Sequence, residues 1–203
     1  MIWFGMKPNR FLKTYFRAPL FATGVFAILT GVWVFALAPP APAVTPAVVP
    51  QYDKDGALLR PRNFYTWVFV GSSIGLSYAK DSDMSGPGMF HNVYTQPEAY
   101  QEFQKTGKFP EKTIFIIDMR DSLHNVSIAK HGYTEGESMG LDVSVKDHEH
   151  FHEGWAYFNF AYDNGKFAER ARANPKEACF SCHSEHAASD NVFTQYYPAL
   201  RKP

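Results

Sequence analysis

Cys179-Phe180-Ser181-Cys182-His183 is a Cys-x-x-Cys-His segment, and its spacing has a specific chemical use. On a helix, residues three and four apart share one face, so two thiols and an imidazole project together. Two thioethers can then fix a porphyrin edge while the His183 imidazole reaches the iron. The implied cofactor is therefore haem c, covalently held, one per chain, with His183 as metal ligand. A redox Cys-x-x-Cys pair or half of a zinc site is the alternative. A redox pair usually sits near the start of a βαβ unit and a zinc ribbon needs a second pair of thiols. The chain has only 2 cysteines.

These residues need a helix to present them. Asn174 as N-cap, Pro175 in the first turn and Glu177 closing a capping box predict one, with helical structure over 178–188 and a further short helix over 167–173. Ahead of it, strand-like segments dominate. Aromatic and β-branched runs bounded by turn residues predict strands at 64–72, 89–94, 113–119, 140–146 and 154–161. Between the second and third, Thr95 and Glu98 form a capping box, Tyr100 and Phe103 face inward, and Gly107 stops a helix. The fold class is α+β, with a mainly antiparallel sheet and a few helices, the haem helix lying near the C-terminus.

The 203-residue chain is 45% hydrophobic and 16% aromatic, ample for a packed core. Its formal charge is zero but unevenly placed: residues 1–43 hold Lys7, Arg10, Lys13 and Arg17 and no acid. The remainder is mildly acidic and has no basic patch, which argues against nucleic acid as a partner. The positive stretch precedes an uncharged run over 18–38, the layout of an export signal. At about 1.5 Å per residue the run spans roughly 30 Å, enough to cross a bilayer as an uncleaved anchor. Cleavage after Ala41-Pro42-Ala43 is the other fate. Residues 1–38 are thus a signal sequence or membrane anchor, and 39–50, with prolines at 39, 40, 42, 46 and 50, form a linker. The haem-binding domain occupies 51–203, and its expected location is the periplasm.

The strings WVFVGSS (67–73), HNVYTQPEAY (91–100), KTGKFP (105–110), GLDVSVKD (140–147), GWAYFNF (154–160) and CFSCHSEHAASDNVFTQYYP (179–198) resemble the cytochrome P-460 family and the related β-sheet cytochromes c′. The resemblance covers essentially all of 52–200. It implies a homodimeric, largely antiparallel β domain with one five-coordinate haem c, proximal ligand His183 and an open distal side. Members include hydroxylamine-oxidising enzymes and nitric-oxide-binding cytochromes. In the former, a lysine on the strand after the KTGxF turn cross-links to the haem rim; Ile117 stands at that position here. Lys112 and Lys130 do not match it, so hydroxylamine oxidation is in doubt. The enzymes also place a glutamate over the haem, and Asp142 occupies that position as a candidate proton acceptor. Read from periodicity alone, Asp142 instead alternates with Leu141 and Val143 as on any half-solvated strand.

If Ile117 faces the haem, period-2 alternation puts Thr113, Phe115 and Met119 on the same side. The expected distal pocket is mostly apolar, suited to a small gaseous or nitrogenous ligand such as nitric oxide and offering no strong hydrogen-bond donor. Met119, or Met84, Met89 or Met139, could instead be a sixth ligand, making an electron-transfer cytochrome. The tract Asp147-His148-Glu149-His150-Phe151-His152-Glu153 could bind a metal if its histidines shared a strand face; a solvated loop is the alternative. His186 is expected on the proximal surface or in solvent. Asp190 and Gln195 are candidates for hydrogen bonds near His183 or the haem. Three functions compete: a ligand-binding monohaem cytochrome, a hydroxylamine- or peroxide-linked oxidoreductase, and an electron-transfer subunit of a membrane complex with a redox partner protein.

Overall fold

The computed structural model describes residues 47–77, 86–128 and 130–201. The expected export segment, most of the linker, and Met84 lie outside them. No helix among the described residues is long and apolar enough to cross a membrane.

Strands β2 (Val68–Ile74), β3 (Phe90–Thr95), β4 (Ile114–His124), β5 (Tyr133–Lys146), β6 (Trp155–Asp163) and β7 (Lys166–Phe167) form one antiparallel sheet in sequence order. Two short strands, β1 (Leu58–Leu59) and β8 (Arg170–Ala171), pair separately. Helix α1 (Pro97–Thr106) links β3 to β4, and α2 (Phe180–His186) carries the Cys-x-x-Cys-His segment. The α+β expectation holds.

Both faces of the sheet are covered, because alternate side chains feed two separate cores. One core takes Ile114 and Ile116 of β4, Leu141, Val143 and Val145 of β5, and Phe158 and Phe160 of β6, closed by Leu58, Phe64 and Trp67. The other takes Phe115, Val93, Trp155 and Tyr157, closed by Phe103, Phe109, Val192, Tyr197 and Leu200. In that second core Phe103 stacks on Phe109 at 4.1 Å, and Phe109 meets Phe115 edge-on at 5.0 Å. Aromatic pairs at these spacings are favourable beyond the area they bury. They fix the end of the face on which the site is built.

Several expected elements form differently. Residues 64–66 make a 3-10 turn, and the strand begins only at Val68. The 167–173 helix is absent. Asn164 (φ 48°) and Gly165 (φ 77°) instead turn the chain back on β6, pairing Asp163 with Lys166 and Tyr162 with Phe167. Two successive left-handed residues give a twist that suits a tight hairpin. The capping box on Thr95 does not form either: Thr95 ends β3 and its hydroxyl donates to the Ile114 carbonyl at 3.0 Å. Gln96 takes the N-cap position, accepting from the Ile114 N–H at 2.6 Å and donating to the Lys112 carbonyl at 2.9 Å. Gly107 does stop α1, at φ 73°. Nor does Asn174 cap α2: Cys179 takes the N-cap position, the Asn174 N–H donates to the Tyr157 carbonyl at 2.7 Å, and its side-chain amide donates to Cys179 Sγ at 3.5 Å. Residues next to β6 are claimed by the sheet, and α2 starts at Phe180.

Candidate functional site

The α2 segment is short, and its side chains are held from outside. The His183 ring lies between Tyr157 (centroids 4.3 Å apart) and Phe193 (4.7 Å, edge-on). Its Nδ1 sits 2.8 Å from the Asn191 carbonyl. A carbonyl oxygen can only accept, so Nδ1 carries the proton and Nε2 is left with the lone pair that a metal needs. Burial lowers the basicity of His183, opposed by that same hydrogen bond, so the ring favours its neutral, ligating form.

The Asn191 carbonyl is itself fixed. Asp190 and Asn191 are consecutive left-handed residues (φ 49° and 56°). Asp190 accepts from Lys146 Nζ at 2.7 Å, from the Phe109 N–H at 3.3 Å and from Trp155 Nε1 at 3.3 Å. Asp190 therefore acts on His183 through the loop and makes no direct bond to it. Gln195, expected near the haem or His183, instead ties the end of α2, donating to the His186 carbonyl at 2.9 Å and accepting from the Ala188 N–H at 3.1 Å. His186 is exposed, its nearest charge being Glu185 at 3.8 Å.

His183 lines a cavity of about 220 Å³ shared with the sheet. The sheet contributes His91 and Val93 of β3, Phe115, Ile117 and Met119 of β4, and Asp142 and Ser144 of β5. Phe115, Ile117 and Met119 thus share the face that alternation predicts, whereas Thr113, expected there too, precedes β4, donates to the Pro110 carbonyl at 2.7 Å and does not line the cavity. Ile117 lies directly opposite Asp142 in the β4–β5 register, and Met119 opposite Gly140. A side chain on Gly140 would come within 2.9 Å of Met119 Cε, so the glycine makes room for the methionine.

Two features of the cavity stand out: one decides between the two readings of Asp142, and the other was not expected. Asp142 is not on a solvated strand face: the polar side of β5 is the side turned toward the cavity. Burial pushes its carboxyl up from the ordinary carboxylate range, while a 2.7 Å hydrogen bond from Asn159 Nδ2 and the nearby His91 pull it down. His91 is the second feature. It makes the pocket less apolar than the β4 residues alone suggest, and sequence reasoning missed it. The signal was available, since His91 sits two residues before Val93 on an alternating strand.

The histidine tract does not form a metal face. It is the turn between β5 and β6, and its side chains diverge. His148 Nδ1 meets Glu111 at 2.8 Å; His150 meets Asp147 at 2.9 Å and stacks on Tyr52. Asp147, Glu149 and His150 do converge, but Lys112 Nζ already sits 2.6 Å from both carboxylates. An ammonium fills the position a cation would take. Met89 and Met139 are exposed and do not line the cavity.

A family profile described as cytochrome P460 matches residues 61–194, spanning β2 to the loop beyond His183. The chain belongs to the cytochrome P460 family. No curated protein matches it closely enough to count as a relative. Members of a cytochrome P460 family bind haem, and the residues present here fit that group. Two free thiols flank the start of α2, one imidazole nitrogen is pinned and the other open, and the cavity beside it is largely apolar. Cys179 and Phe180 also pack against the core that lines this cavity. Ile117, an alkyl chain with no nitrogen, lines the same cavity.

Proposed function

We propose that this protein is an exported monohaem c-type cytochrome that binds or converts nitric oxide or a related small nitrogen species at an open iron face. Haem held here would supply an iron that changes oxidation state and binds a small ligand. Cys179 and Cys182 would form the thioethers, and His183 would ligate through Nε2. The carrying observation is the Nδ1–H bond from His183 to Asn191, which fixes the tautomer that ligation requires. Phe115, Ile117 and Val93 exclude water from the ligand's surroundings. The N-terminal run of 18–38 supports export to the periplasm, either anchored in the inner membrane or cleaved. The resemblance supports a homodimer.

A second reading, an oxidoreductase acting on hydroxylamine or peroxide, is favoured by Asp142 in the cavity wall, where a carboxylate with a raised pKa can take a proton. Ile117 counts against the hydroxylamine route. A third, electron transfer in a membrane complex, is favoured by Met119 in the same cavity.

Intact-mass spectrometry of the purified protein tests covalent attachment. The expected mass is one haem above the polypeptide, falling to polypeptide alone in the Cys179→Ser/Cys182→Ser double variant. Nitric oxide titration of the reduced protein then separates the readings: a saturable spectral change is expected. A spectrum that nitric oxide does not alter would overturn the open-face assignment.

A further inference from the structure

Of the described residues lining the cavity, four titrate: His91, Asp142, His183 and Tyr197. His183 is committed to Asn191 on one nitrogen and assigned to iron on the other. His91 has no comparable commitment. Among the described residues, no hydrogen bond holds its ring, although it is half-buried in the wall of β3.

Its placement follows from register. His91 pairs with Met119, and Met119 with Gly140, so a side chain, a thioether and a gap lie side by side across three strands. One step along, Val93, Ile117 and Asp142 lie side by side. His91 and Asp142 are thus diagonal corners of one cavity wall, two strands apart, with the apolar Ile117 and Met119 between them. Burial lowers the basicity of His91, and the Asp142 carboxylate partly restores it. The same burial raises Asp142. The two groups approach each other in acid strength, which lowers the cost of moving a proton at this wall.

We propose that His91, assisted electrostatically by Asp142, is the proton-accepting residue for ligands that arrive as weak acids, so that the site favours small molecules bearing an exchangeable N–H, O–H or acidic C–H proton. The inference rests on the open-face reading. With haem bound, such a ligand would pass its proton to the free imidazole nitrogen of His91, and the lone pair so released would be available to the iron, with no change of oxidation state. The resulting imidazolium is stabilised by Asp142. Nitric oxide has no proton to surrender and needs none of this. Hydrogen peroxide and hydrazoic acid do.

Hydrogen cyanide and nitric oxide are therefore the two probes. Association rates are measured by stopped-flow absorbance, cyanide with the ferric protein and nitric oxide with the ferrous protein, at neutral pH, in wild type, His91→Leu and His91→Gln. Loss of a positioned base is expected to slow cyanide association by roughly tenfold or more in both variants. Nitric oxide association should change less than about twofold, a small shift beside the hundred-fold range of general-base effects. His91→Gln keeps a polar side chain of similar reach, so it separates proton transfer from simple polarity. Retention of the wild-type cyanide rate in both variants would overturn the inference alone. Equal slowing of both ligands would also overturn it, marking His91 as a packing residue. A wild type that binds neither ligand would overturn the open-face reading itself.

Discussion

His183 donates its Nδ1–H to the Asn191 carbonyl at 2.8 Å, and the loop bearing that carbonyl is anchored by Asp190 rather than by α2. The orientation of the imidazole is therefore set by the β-sheet, through Lys146 at the end of β5 and Trp155 at the start of β6. A seven-residue helix could not set it alone, because so short a helix is marginal without tertiary contacts.

Asp190→Ala should accordingly destabilise the protein. Lys146 and Asp190 are only 12% and 23% exposed, so removing one partner strands a mostly buried charge. The expected loss is about 3 kcal/mol. Asp190→Asn, which keeps acceptors for Trp155 and Phe109, should lose less. Chemical denaturation of the holoprotein checks both, and an unchanged midpoint for Asp190→Ala would contradict the anchoring role.

Ile117→Lys places an amine directly opposite Asp142 in the β4–β5 register. The resemblance implies that hydroxylamine-oxidising members carry here a lysine bonded to the haem rim. The substitution is expected to yield a proteolytic haem peptide that carries β4 residues together with the Cys-x-x-Cys-His segment. Recovery of the Cys-x-x-Cys-His peptide alone would show that position is not sufficient.

Asp142→Asn has a signed pH consequence. Burial raises the folded-state carboxyl above its ordinary value, so the folded protein binds the proton more tightly than the unfolded chain. That penalty on the charged form is absent below the unfolded pKa and grows as pH rises, becoming complete above the folded pKa. Asp142→Asn removes it. The variant should be more stable than wild type at neutral pH, with the difference shrinking as pH falls through the raised folded-state value and gone below the ordinary carboxylate value of 3.8. Denaturant midpoints across pH measure it; a constant difference would refute the assignment.

Gly71→Ala tests how the C-terminal segment meets the sheet. Gly71 has φ 153°, in a register shift of β2, and an added Cβ would lie 2.9 Å from the Tyr197 ring. Tyr197 also lines the cavity. A loss of roughly 1–3 kcal/mol is expected, since both backbone and packing are compromised. Thermal denaturation would contradict this by showing no change.

Much of the sheet was legible because strand periodicity leaves a direct trace in sequence. Alternation across 113–119 correctly grouped Phe115, Ile117 and Met119 but also included Thr113, which lies before the strand and outside the cavity. Other features were hidden by competition between local and tertiary bonding. Thr95-x-x-Glu98 and Asn174-Pro175-x-Glu177 both carry the residues of a helix start, yet the Thr95 hydroxyl and the Asn174 N–H bond to neighbouring strands, and the Asn174 side chain bonds to Cys179 Sγ. The Asn164-Gly165 hairpin was a local signal and could have been read. Periodicity alone left Asp142 on a solvated face, because a polar strand face ordinarily meets water; only the fold shows that it shares a cavity with residues of the C-terminal segment. Asn191, whose main-chain oxygen orients His183, leaves no trace in sequence, since any residue supplies a carbonyl.

The account centres on His183 as the sole protein ligand to the iron of a thioether-linked haem. Electron paramagnetic resonance of the resting ferric holoprotein tests this most directly. A high-spin signal that converts to low-spin on adding cyanide is predicted. A low-spin signal in the resting protein, unchanged by added cyanide and lost in Met119→Leu, would mean that a thioether already fills the second axial position.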